Sequence, residues 1–86
     1  MKVALDIPLY DSEGVQRFWQ DDSSLEISIY DKEILLLANG KALYSLALQM
    51  LYMAENDLPK GTHVHFDDFM CQGLKGDLEL VIEKKD

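Results

Sequence analysis

LEISIYDKEILLLANGKALYSLALQMLYMAEN, residues 25–56, decides the fold. In its first third, Leu25, Ile27 and Ile29 alternate with Glu26, Ser28 and Tyr30, the period of a half-buried strand. Asp31-Lys32 can close a two-residue connection, although without the Gly that favours a tight hairpin. The run from Ile34 to Ala38 follows, apolar on both faces, and predicts a central strand. Asn39 is placed to cap a helix from Gly40 to about Asn56, in a stretch of good helix formers with no β-branched residue. Leu43, Leu46, Ala47, Met50 and Ala54 repeat at three and four residues and are the expected core stripe. Tyr44, Leu48 and Tyr52 add a neighbouring apolar face. Only Lys41, Ser45, Gln49 and Glu55 are polar, so the apolar stripe is wider than one sheet contact requires. Pro59 and Gly61 are the expected stop.

Outward from this block, shorter elements follow. Val3, Leu5 and Ile7 alternate as a strand that ends at Pro8, and Val15 to Gln20 reads as a weak aromatic strand containing Phe18 and Trp19. Thr62 to Asp67 reads as a strand with Val64 and Phe66 on one face and His63, His65 and Asp67 on the other. Phe69 to Gly76 reads as a loop. Leu78, Leu80 and Ile82 alternate with Glu79, Val81 and Glu83 as a final strand. Strands, one long helix, then strands predict an α+β fold: a mostly antiparallel β-sheet of four to five strands with one long α-helix (about 40–56) packed on one face.

The chain has 86 residues, 16 acidic and 8 basic, and a formal net charge of −8. One domain fits in that length, residues 1–86. The 48% hydrophobic content suits a packed core rather than a disordered chain. The longest basic run is Lys84-Lys85, so nucleic acid is not an expected partner. The first residues are neither a signal peptide nor a membrane span, and a lone cysteine, Cys71, forms no internal disulfide; the expected compartment is the cytoplasm. The charge is uneven. Residues 1–30 hold six acids and two bases, residues 31–60 four and three, and residues 61–86 six and three. Both ends are acidic around a nearly neutral middle. Such a field draws basic proteins and speeds encounter with them, and it also keeps small proteins soluble.

Few residues carry chemistry. His63, His65 and Asp67 project to one side of a strand, as two imidazoles and a carboxylate of a metal site would. They match only the first half of an HxHxDH metal signature: Asp68 is followed by Phe69, and no other histidine exists in the chain. The plainer reading is a polar sheet face or a protein contact. Cys71 has no oriented base in its surroundings and reads as a bystander. Asp21-Asp22 and Asp67-Asp68 lack a cleft to separate their pKa values, and they read as solvated loops or as contacts for a basic partner. The Tyr44/Leu48/Tyr52 face can pack under the N-terminal segment with Trp19, pair with a second copy, or bind another protein.

Asn39, then Leu43, Leu46-Ala47, Leu51 and Ala54, then Pro59 and Gly61, then His63-Val64-His65-Phe66-Asp67, and finally Leu78 to Lys84, together resemble the immunity protein 32 family of bacterial polymorphic toxin systems. Asp6 to Tyr10, Gly14 and Trp19 are similar more loosely. Ala42 stands where a Gly is expected, and Leu48 where a polar residue is expected; both make the helix more apolar. The resemblance implies a non-enzymatic cytoplasmic protector, without cofactor, that binds and inhibits a cognate toxin domain, often a nuclease. The expected contact residues are then Asp21, Asp22, Asp67, Asp68 and Asp77, with Trp19 or Tyr44 as anchors. The competing readings are a small metal-binding protein using His63, His65 and Asp67, and a homodimeric module paired through Tyr44, Leu48 and Tyr52.

Overall fold

A computed structural model describes residues 4–11, 14–55, 57–67, 73–75 and 77–86. The chain is α+β, with strands β1 (Leu25–Tyr30) and β2 (Glu33–Ala38), helix α1 (Gly40–Met53), then strands β3 (His63–Phe66), β4 (Leu74–Lys75) and β5 (Leu80–Glu83). β1 and β2 form the expected antiparallel hairpin, with Tyr30 opposite Glu33 and Leu25 opposite Ala38. Asp31 takes a positive φ of 53° at the turn, the conformation a Gly would otherwise supply and one that Asp tolerates.

The single sheet is replaced by two. β4 runs parallel to β1, giving the order β2-β1-β4, and β3 pairs antiparallel with β5 in a separate sheet. β2 is therefore an edge strand, not a central one. A run of apolar residues has the same pattern in both places, and here Ile34, Leu35, Leu36 and Leu37 are all exposed. The expected loop 69–76 contains the two-residue β4; Phe69 to Gln72, with Cys71 among them, and Gly76 lie outside the described residues. No strand forms at residues 4–10, and Val3 lies outside the described residues. The last strand begins at Leu80 rather than Leu78.

Asn39 caps α1 as expected: Oδ1 accepts from the Ala42 N–H at 3.0 Å. The same oxygen accepts from the Ser24 N–H at 3.0 Å, and Nδ2 donates to the Asp22 carbonyl at 2.8 Å. One side chain thus fixes the helix start to the entry of β1. The helix ends at Met53, several residues short of Pro59 and of the expected Asn56, which lies outside the described residues.

The buried face of α1 is rotated from the expected stripe. Ala42, Ser45, Leu46, Gln49, Tyr52 and Met53 are buried; of the predicted stripe only Leu46 is, while Leu43, Ala47, Met50 and Ala54 are exposed. The polar residues are buried because they serve backbone. The 15–20 segment, expected as a strand, runs extended along α1 and takes its hydrogen bonds from helix side chains. The Gln16 N–H donates to the Tyr52 hydroxyl at 3.2 Å, Phe18 N–H to Gln49 Oε1 at 2.8 Å, and Gln20 N–H to Ser45 Oγ at 3.0 Å. Gln49 Nε2 returns a bond to the Gln16 carbonyl at 3.0 Å, and Ser45 Oγ donates to Lys41 O at 2.8 Å. The geometry matches: two extended residues advance roughly 6.7 Å, and three to four helical residues roughly 4.5–6 Å. Every second amide of the segment therefore meets a helix side chain.

This segment also ties α1 to the β3–β5 sheet. Phe18 meets Tyr52 edge-on at 5.2 Å between ring centroids, Trp19 packs on Phe66 at 5.7 Å, and Arg17 donates to the His65 carbonyl at 3.4 Å. The core joins Leu25 and Ile27 of β1, the buried face of α1, Leu58, Val64 and Phe66 of β3, and Leu74 of β4. Gly73 makes β4 possible. Its φ is +86°, and an added Cβ would lie 1.9 Å from the Ser23 carbonyl oxygen.

Candidate functional site

The Trp19–Phe66 contact organises the residues expected to meet a partner. Asp21 and Asp22 follow Trp19 in an exposed turn, and Asp67 follows Phe66 at the end of β3, half-buried and engaged with neighbours. The turn has a defined shape: Asp22 sits at φ 65°, its carbonyl is held by Asn39, and its carboxylate stands 3.6 Å from Lys41 Nζ. Both side chains of that ion pair are more than half exposed, so it contributes little stability and leaves the carboxylate open to competition. Tyr44 lies one turn along α1 from Lys41 and is partly exposed. Trp19 is half-buried, with part of its ring committed to Phe66. Asp77 is exposed three residues before β5. Asp68 lies outside the described residues.

Tyr52 is fully buried, which removes it from any surface face with Tyr44 and Leu48. It packs under the N-terminal segment, its hydroxyl accepting from Gln16 and its ring meeting Phe18.

His63 and His65 share the exposed face of the β3–β5 sheet, with rings 5.1 Å apart. Each faces a carboxylate of β5 or its approach: His63 Nδ1 stands 3.9 Å from Glu83, and His65 Nδ1 hydrogen-bonds Glu79. The β3–β5 register puts Glu83 opposite His63 as a cross-strand polar pair, while Glu79 reaches His65 from the residue before β5. Among the described residues, no group of three His, Cys, Asp or Glu side chains is arranged to hold a metal, so His63, His65 and Asp67 are not brought together as a ligand set. Glu79 and Glu83, the actual neighbours of the histidines, were visible only as the polar phase of the last strand.

No described helix is long and apolar enough to cross a membrane. A family model described as Immunity protein 32 matches residues 33–85, more than half of the chain and all of β2 through β5. No curated protein and no solved structure matches the chain.

Proposed function

Because the chain belongs to the immunity protein 32 family, we propose that it is a toxin-neutralising immunity protein of a bacterial polymorphic toxin system. It acts in the cytoplasm without catalysis or cofactor, by binding a cognate toxin domain and covering its active surface. The match over residues 33–85 carries this reading.

The contact draws on an acidic surface: Asp21, Asp22, Asp67, Asp68 and Asp77, with Trp19 and Tyr44 as apolar anchors. Three observations support it. The net charge of −8 favours a basic target, such as a nuclease whose own ligand is a polyanion. Asp21 and Asp22 are presented on a turn that Asn39 holds in shape, which lowers the ordering cost of binding. Trp19 and Tyr44 are aromatic and incompletely buried, as binding anchors are.

Co-expression with the toxin domain encoded beside this chain tests the function. The expected result is rescued growth and a complex that co-purifies. Loss of viability at full expression of both proteins, with no complex, would overturn it.

A further inference from the structure

Among the described residues, the outer edge of β2 pairs with no strand and presents a row of backbone groups. Leu25 N–H donates to the Gly73 carbonyl at 3.1 Å, toward β4, so the Leu25–Ala38 pair exchanges no amide bond with β2. Antiparallel pairs alternate, so Ile27–Leu36 and Ile29–Ile34 are of the same kind. The amides and carbonyls of Ile34 and Leu36 therefore turn outward, away from β1. Edges of this kind are ordinarily blunted by Lys, Pro, a bulge or a covering element. Ile34 to Ala38 contains no charge and no Pro.

The side chains around this edge are apolar and uncovered. Ile34 is 72% exposed and Leu37 61%, with Ile29 and Tyr30 of β1 similarly open and Leu35 and Leu36 nearly half so. The chain as a whole exposes 6487 Å², more than the roughly 5,200 Å² that the area scaling of monomeric proteins gives at this mass, an excess that belongs to the entire chain and not to β2 alone. A standard stable interface covers about 800 Å² on each partner.

We propose that β2 pairs antiparallel with β2 of a second copy of this chain, joining the two hairpins into one continuous sheet. Charge selects this occupant. Between Ile34 and Ala54 the only charged residue is Lys41. Two copies, each of net charge −8, meet with least repulsion there, and a basic protein gains no electrostatic attraction there. The strand is also compatible with itself. A two-fold axis at Leu35 or Leu36 sets apolar residues opposite apolar ones and places Glu33 against Leu37 or Asn39, never against another acid. The contact is isologous, so pairing uses up each β2 and stops at two. The acidic turn at Asp21-Asp22 is not part of this edge.

Sedimentation velocity of the full chain from about 1 to about 200 µM reads the equilibrium directly, and the expected result is a monomer–dimer transition in that range. Leu36→Pro removes an outward N–H while sparing the β1 ladder, and Leu35→Lys places a cation at the two-fold or directly beside it, among apolar side chains in either register. Each is expected to weaken the dimer at least ~100-fold with little change in circular dichroism. Amide exchange on the unmodified chain is a second readout: Ile34 and Leu36 should be protected in concentrated and unprotected in dilute solution. A monomer at the highest concentration, assemblies larger than two, an unaltered dimer in Leu35→Lys, or equal exchange at both concentrations each overturns the proposal. So does protection of these two amides by a toxin domain while the chain stays monomeric. Toxin neutralisation is scored separately by growth rescue, so dimerisation and that function fail independently.

Discussion

Gln49 Oε1 accepts the Phe18 N–H at 2.8 Å, while Nε2 of the same side chain donates to the Gln16 carbonyl at 3.0 Å. A single buried amide thus plays the part of a neighbouring strand for two residues of the N-terminal segment. Replacing it by Ala leaves both backbone groups unsatisfied and opens a void. Gln49→Ala should lose about 2–4 kcal/mol in urea unfolding. Tyr52→Phe removes only the acceptor of Gln16 and should cost about 1 kcal/mol. Equal losses in the two variants would refute the special place of Gln49.

Gly73 and Gly61 have nearly the same backbone angle, +86° and +83°, in different surroundings. A Cβ on Gly61 meets nothing within 4 Å, so Gly61→Ala should cost only the conformational strain, about 1 kcal/mol. At Gly73 the same atom collides with the Ser23 backbone, and Gly73→Ala should cost more than about 3 kcal/mol by detaching β4 from β1. Thermal melting of the two variants side by side checks this.

Asn39 satisfies the helix start and the chain before β1 together. Asn39→Ala should destabilise by about 2 kcal/mol, above an ordinary cap, because the Ser24 N–H and the Asp22 carbonyl lose their partner as well. Asn39→Asp keeps the acceptor for Ala42 and Ser24 and loses only the donor to Asp22, so it should lie between the two. Denaturant titration orders the three proteins.

The toxin contact should depend on salt. Asp21→Lys with Asp77→Lys, both at exposed positions, should slow association with the cognate toxin about tenfold at low ionic strength. The difference should shrink toward nothing near about 0.5 M salt, where screening shortens to a few ångströms. Stopped-flow rates across a salt series measure it. A salt-independent deficit would place these acids outside the steering field.

The histidine pair should be marginal for stability. His63 and His65 are about half exposed, and their partners Glu83 and Glu79 are comparably open. Replacing both histidines by Ala should change unfolding free energy by less than about 1 kcal/mol. A larger loss, measured by urea titration, would give these contacts a role in holding β3 to β5.

The hairpin of β1 and β2, the Asn39 cap and the β3 alternation were legible because each is local: a period of two, or one side chain reaching an amide three residues on. The orientation of α1 was not. With Leu43, Tyr44, Leu46, Ala47, Leu48, Met50 and Leu51 around the helix, apolar periodicity barely distinguishes one face. Ser45 and Gln49 are buried for the sake of backbone groups some thirty residues earlier in the chain. The place of β2 was equally hidden, because five apolar residues in a row look the same at the centre of a sheet as at its margin. At the candidate site, the exposure of Asp21, Asp22 and Asp77 followed from composition. The attachment of Trp19 to Phe66 is a tertiary contact that no local pattern records.

The ladder between the 15–20 segment and α1 has a consequence in time. Its rungs, Ser45, Gln49 and Tyr52, stand on successive turns and line up only once those turns are wound. The segment has no template before that moment, so it is expected to join late in folding and to leave early in unfolding. Substitutions at Gln49 should therefore accelerate unfolding far more than they slow refolding, the signature of contacts absent from the rate-limiting nucleus.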